Sequence, residues 1–131
     1  MSLFNSLFGS SEEKKETAKK INWIPLQYVG QLDEIVAFSN QKPALIFKHS
    51  TRCSISRFAL KQFENEYALE DKVDAYFLDL IEYRDVSNEI ANRFKVVHQS
   101  PQLLLIKNGQ SVYDASHDAI NAGDLVNCLQ L

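Results

Sequence analysis

The chain has 131 residues with a net charge of -3, and 45% of its residues are hydrophobic and 24% charged. This is the size and balance of one globular domain able to bury its own core, and the acidic balance argues against nucleic acid as the main partner, because phosphate binding needs a basic face. No apolar run reaches the roughly 18 residues of a membrane helix, and the opening MSLFNSLFGS lacks the charged start, continuous apolar region and small-residue cleavage site of a secretory signal, so the expected location is the cytoplasm.

Residues 1–20 read as a flexible N-terminal segment, with the domain proper over 21–131. Leu3, Phe4, Leu7 and Phe8 fall on one side of a short helical pattern, and GSSEEKKETAKK follows as a polar tether. The apolar side is either a frayed terminus or a docking peptide for a partner or a membrane surface. Residues 23–28 then form a short extended piece interrupted by Pro25. Residues 31–40 carry Leu32, Ile35, Val36 and Phe38 at helical spacing. Residues 43–48, an apolar run opened by Pro43, have the signature of a buried strand. Ile55, Phe58, Ala59, Phe63 and Tyr67 follow the spacing of an amphipathic helix. A strand over 73–80, a helix over 85–94 with Val86, Ile90 and Phe94, and a strand over 102–107 come next. Asn108-Gly109 signals a tight turn, with 111–115 as the hairpin partner. A closing helix is expected from about 117 to 131.

This order alternates strands and helices and ends in a hairpin, which implies parallel strands with crossover helices and an antiparallel pair at the end. The fold class is α/β and thioredoxin-like, a central mixed sheet with helices on both faces, although periodicity alone admits other small α/β layouts.

There are two cysteines, Cys53 and Cys128, and three histidines, His49, His98 and His117. They show no metal-ligand spacing, so no zinc site is expected, and a disulfide framework does not suit a cytosolic chain of this size. Cys53 lies just beyond a buried strand and opens the longest amphipathic helix, where open α/β sheets present reactive groups. Ser50 or Thr51 is placed to cap that helix, and Cys53 falls in its first turn, where free N–H groups and the helix dipole favour a thiolate. Arg52 adds positive charge, and Ser56 can direct its hydroxyl toward the sulfur. Thr51, Arg52 and Ser56 are therefore candidate thiolate-stabilising residues. Stabilising a thiolate lowers its intrinsic nucleophilicity but speeds its departure, which suits a carrier that accepts a thiol group and passes it on. Cys53-Ser54-Ile55-Ser56 is a C-x-x-S pattern, so no internal disulfide forms across this turn. The competing reading is a buried, inert cysteine.

Gln99-Ser-Pro-Gln102 precedes the third long strand. Only about 5–6% of X–Pro bonds are cis, yet a thioredoxin-like fold implies a cis-proline at Pro101 facing the cysteine, with the Ser100 backbone open to an extended substrate segment. His49, Ser100 and Pro101 are the candidate substrate-binding residues. His98 either lines the same groove or is an ordinary satisfied histidine. Lys48 and Arg52 are placed to attract the carboxylates of a small anionic thiol. Cys128 is expected to pack in the core, and Trp23 near the domain entrance.

The stretch His49-Ser-Thr-Arg-Cys-Ser-Ile-Ser56, with Ser100-Pro101 downstream, resembles the monothiol bacilliredoxin family of the bacillithiol system, over roughly residues 22–131. That family's usual pattern is Thr-Cys-Pro-Ile-Ser after a His-Ser-Thr lead. The resemblance implies that catalytic Cys53 attacks a mixed disulfide between bacillithiol and a client protein, takes the bacillithiol group and frees the client cysteine. It implies bacillithiol as co-substrate, S-bacillithiolated proteins as partners and no bound cofactor. Two residues depart from the pattern: Arg52 stands directly before the cysteine, and Ser54 replaces the proline, removing a rigid first-turn residue. Two other functions stay open. One is a glutaredoxin-like protein using another low-molecular-weight thiol, although the Cys-Gly-Phe-Ser motif of cluster-binding monothiol glutaredoxins is missing. The other is a non-catalytic peptide-binding or adaptor domain.

Overall fold

The computed structural model describes residues 21–69 and 71–129, and the N-terminal segment 1–20 of the sequence reading lies outside them. The elements are β1 (Ile24–Pro25), α1 (Gln31–Phe38), β2 (Ala44–His49), α2 (Ser54–Glu66), β3 (Asp74–Asp79), α3 (Arg84–Phe94), β4 (Gln102–Lys107), β5 (Gln110–Ser116) and α4 (Ala122–Leu129). The sheet order is β1-β3-β2-β4-β5. Strands β1, β3 and β2 run parallel, while β4 is antiparallel to β2 and β5 to β4.

Strand β2 lies at the centre, and all six of its residues are buried. Because successive side chains point to opposite faces, the strand feeds two cores. Leu45 and Phe47 pack with Phe63 of α2, Tyr67 just after it and Leu125 of α4. Ala44 and Ile46 pack with Leu32 and Ile35 of α1 and Val86 and Ile90 of α3. Trp23 joins the first of these layers edge-on to Phe47, ring centroids 6.0 Å apart, and donates its indole N–H to Glu64 at 2.6 Å. Trp23 packs at the entrance to the domain, as expected, and its side chain bridges the chain's approach to the sheet and helix α2.

The hairpin between β4 and β5 turns on Asn108 and Gly109, with φ of 54° and 77°. Both positive values match the primed turn that suits the twist of the strands. Ser39, buried at the end of α1, holds that turn: its hydroxyl accepts the Gly109 N–H at 2.8 Å, and its carbonyl accepts the Asn108 N–H at 3.0 Å. Further along, Leu105 pairs with Tyr113 and Ile106 with Ser111, so Val112 bulges outward from β5.

The last helix is shorter than the sequence reading expects. Residues 117–119 form a 3₁₀ turn, and α4 starts only at Ala122. His117 has φ 56°, which no α-helix accommodates, and the Asn121 side chain accepts the Gly123 N–H at 2.7 Å, the geometry of a helix cap. Among the described residues no helix is long and apolar enough to cross a membrane.

Ser39→Ala removes the acceptor that pins the hairpin and leaves a part-buried N–H unpaired. It is expected to cost about 1–3 kcal/mol in equilibrium urea unfolding; an unchanged midpoint would show that the hairpin needs no anchor on α1.

Candidate functional site

Strand β2 delivers the chain to a tight turn. The Cys53 N–H bonds the Ser50 carbonyl at 3.2 Å, and the Cys53 carbonyl accepts the Arg57 N–H at 3.1 Å, the first bond of α2. Cys53 is thus the residue at the N-cap, with extended backbone (φ -108°, ψ 122°), one position earlier than the first-turn placement read from sequence. The expectation that Ser50 or Thr51 caps this helix is not met, because neither stands at the cap. The N-cap is the position from which a side-chain acceptor can reach the N–H groups of the second and third helical residues, in α2 those of Ile55 and Ser56, but the Cys53 side chain makes no such bond. Cys53 is partly exposed and in no disulfide.

Ser56 organises the turn. Fully buried, its hydroxyl accepts the Ser50 N–H at 3.1 Å and lies 2.8 Å from His49 Nδ1. The sequence reading aimed this hydroxyl at the sulfur; the structure commits it to the end of β2 instead. His49 is also buried. Burial holds its pKa below the ordinary histidine value, Asp79 opposes that shift and Arg57 adds to it. Arg57 also donates to the Thr51 carbonyl at 3.3 Å, bracing the outside of the turn. Thr51 and Arg52 are both exposed beside the cysteine.

The second half of the site arrives through strand register. Lys48 of β2 pairs with Gln102 of β4, so the residues just before Gln102 lie alongside the point where β2 gives way to the Cys53 turn. The Ser100–Pro101 bond there is cis, as the fold implies. Pro101 is buried and its carbonyl accepts the His117 N–H at 3.0 Å. The Ser100 hydroxyl is buried without a hydrogen-bond partner.

Sequence reasoning missed what lies behind this turn. Lys48 is completely buried; its Nζ donates to Gln102 Oε1 at 2.9 Å and to His98 Nδ1 at 2.8 Å. It therefore cannot greet the carboxylates of a ligand at the surface, and that expectation is corrected. Burial without a carboxylate partner lowers its pKa to about 8. An ammonium can only donate, so His98 accepts at Nδ1 and carries its proton on Nε2. Burial, then Lys48 and Arg84, hold the His98 pKa below the usual value. Gln102 completes the set by donating to the Val97 carbonyl at 2.9 Å, and Ser87 lies 3.4 Å from His98 Nδ1. The available signal was a lysine closing one apolar strand and a glutamine opening another. Cys128 packs on the α2/α4 side, partly buried against the core, as expected. Among the described residues no group of three His, Cys, Asp or Glu side chains is placed to hold a metal.

The comparisons with known proteins agree with this geometry. A family model described as monothiol bacilliredoxin BrxC matches residues 24–125. A solved structure described as a candidate oxidoreductase with a thioredoxin fold is 32% identical, with a TM-score of 0.68 over 79% of this chain and 90% of that one. Thioredoxins of Malassezia sympodialis (18% identity, TM-score 0.64, 83% of this chain and 89% of that one) and Fasciola hepatica (16%, 0.61, 81% and 95%) share the fold.

Two variants test this arrangement. Ser56→Ala leaves the Ser50 N–H without its acceptor and is expected to lower stability by about 1–3 kcal/mol; an unperturbed unfolding curve would remove Ser56 as the brace of the turn. For Lys48, the folded chain holds the proton less tightly than the unfolded chain does. Between pH about 8 and the ordinary lysine value of 10.5 the unfolded state binds more protons, so stability rises with pH across that window. The urea midpoint is expected to be higher at about pH 9.5 than at about pH 8, with the difference lost in Lys48→Met. A flat wild-type profile would overturn the buried-lysine account.

Proposed function

Because the chain belongs to the monothiol bacilliredoxin family, we propose that it removes bacillithiol from mixed disulfides on client proteins through the single nucleophile Cys53. Family and fold together support a thiol oxidoreductase. The observation that carries the finer reading is the Cys53–Ser56 pair. Cys53 is partly exposed at a helix N-cap, and the residue three positions on is a buried serine.

In the proposed reaction the Cys53 thiolate attacks the bacillithiol sulfur of the mixed disulfide. The Cys53–bacillithiol S–S bond forms as the client–bacillithiol S–S bond breaks. The client cysteine leaves as a thiolate and takes a proton from solvent. One disulfide replaces another, so no outside oxidant or reductant is consumed in this step. A second low-molecular-weight thiol then attacks the bacillithiol sulfur of the adduct: a disulfide between that thiol and bacillithiol forms as the Cys53–bacillithiol S–S bond breaks, and Cys53 leaves as a thiolate. Ser56 offers no sulfur for such an attack, and the adduct on Cys53 therefore waits for that second thiol.

The neighbouring residues take separate roles in this reading. Ser56 and His49 are positioning residues that hold the turn from behind. Thr51 and Arg52, exposed beside the sulfur, face the incoming group, with Arg52 supplying positive charge for an anionic thiol. Ser100 and Pro101 form the opposite lip, where an extended client segment pairs with backbone. The cytoplasm is the proposed location, since two free cysteines suit a reducing compartment.

The test mixes reduced protein with a bacillithiolated client and follows both intact masses over time. The adduct is expected to move onto wild type and onto Cys128→Ala, and not onto Cys53→Ala. If the wild type takes up no adduct yet still binds the client peptide, the chain is a binding module and the exchange reading fails.

A further inference from the structure

The N-terminal half of helix α2 carries a surface that the chemistry at Cys53 leaves unused. Ile55 is 63% exposed and Phe58 is 71% exposed, one helical turn apart and so neighbours on one strip. Beside them lies a cleft of about 110 Å³, with Ala59 on the helix side and His117 and Ile120 opposite. A cavity of about 150 Å³ holds benzene, so this cleft has room for one large apolar side chain. Its far wall is fastened to the site already described, since the His117 N–H bonds the cis-Pro101 carbonyl at 3.0 Å. The strip therefore adjoins the Cys53 turn at one end and the cis-proline lip across the cleft. Exposed apolar neighbours rimmed by polar residues mark interaction sites.

The charge pattern names the chemistry of the occupant. The chain carries a net charge of -3, yet the charged residues between 50 and 62 are Arg52, Arg57 and Lys61, all basic. A helix favours Asp and Glu in its first turn, and α2 has neither there. Arg57 is committed to the Thr51 carbonyl. Arg52 and Lys61 are exposed, and among the described residues neither pairs with a carboxylate. Lys61, three residues after Phe58, edges the strip on the side away from Ala59 and the cleft. Asp118 stands on the far wall of the cleft, so the basic edge and this carboxylate lie on opposite sides of the apolar strip. A polypeptide lying here reaches the Cys53 turn, which is where a client segment lies during exchange.

We propose that the Ile55/Phe58 strip and its Lys61 edge bind the client segment around the modified cysteine, selecting clients that carry a large apolar and an acidic side chain there. The contact stands on the surface itself, whereas its use in transfer rests on the exchange reaction proposed above.

The experiment measures binding of short peptides to the full chain by fluorescence anisotropy and by backbone amide shifts. Each peptide has a central serine in place of the modified cysteine, flanked on both sides by Phe and Asp, by Ser and Asp, or by Phe and Lys. The Phe/Asp peptide is expected to bind about 10-fold tighter than the Ser/Asp peptide and about 3- to 5-fold tighter than the Phe/Lys peptide at low salt. Its shifts are expected at Ile55, Phe58, Ala59 and Ile120. Phe58→Ser is expected to erase the preference for Phe, and Lys61→Glu to turn the preference from Asp to Lys. Equal affinity for all three peptides would overturn the proposal, as would preferences that both variants leave intact. Amide shifts at the strip that grow with protein concentration without peptide would assign it to a second copy. Shifts given by anionic phospholipid vesicles and not by the peptides would assign it to a membrane surface, and either result overturns the client reading. The peptides hold no sulfur, so failed adduct transfer alongside intact peptide preferences would count against the exchange reaction alone.

Discussion

The Ser56 hydroxyl meets the Ser50 N–H at 3.1 Å and His49 Nδ1 at 2.8 Å, and through those two bonds the end of β2, the cysteine turn and the first turn of α2 become one body. A turn between a buried strand and a helix has free N–H groups and short side chains and would otherwise hold its shape only by backbone preference. Here a fully buried acceptor from the helix reaches back three residues past the cysteine. A buried hydroxyl left without partners carries its whole desolvation cost, so the same bonds that satisfy Ser56 also select the turn geometry that exposes Cys53. The constraint is local in sequence, spanning residues 49–56, yet it depends on the sheet: His49 is in place because β2 pairs with β3 up to Asp79.

On the other face of β2 the chain accepts a cost. Lys48 is wholly buried, and its two hydrogen-bond partners, Gln102 and His98, are neutral when His98 lacks its second proton. Without a counter-charge the ammonium is held only by dipoles, which is why its pKa falls to about 8. The gain is positional. Gln102 is the residue after cis-Pro101, and its side chain is shared between Lys48 and the Val97 carbonyl. The loop carrying Val97, His98 and Ser100 is thereby fastened to the strand that also carries the cysteine turn. The two halves of the site are thus tied to one strand from opposite faces, by Ser56 on one side and Lys48 on the other.

These two devices also mark where sequence reading stops. The apolar runs were legible: β4 spans the same residues as expected, and β2 and α2 differ from expectation by a residue or two at their ends, because periodicity reports burial directly. The Asn108-Gly109 turn was legible because only a few residues tolerate two positive φ values in succession. Polar partnerships were not. His98 and Gln102 lie 50 and 54 residues from Lys48, and only the antiparallel register of β2 with β4 brings them together. Ser56 was recognised as near the sulfur but aimed the wrong way, since spacing along a helix gives neighbours and not hydrogen-bond directions. The late start of α4 was written in Asn121, whose side chain caps the helix, and in His117, whose positive φ breaks any helix begun earlier.

A serine at position 56 also shapes what a thiol exchanger of this kind can do. A second cysteine in that place would be as buried as Ser56 is, close to the first, and it would clear any adduct on Cys53 by forming an internal disulfide. The hydroxyl has the same location but cannot form that bond, so it contributes structure where a thiol would contribute chemistry. In the proposed exchange, release of Cys53 then depends on a thiol from outside, and the rate depends on how freely that thiol reaches the sulfur and how readily the sulfur leaves. Partial exposure at the helix N-cap serves the first requirement, since access comes from the open side.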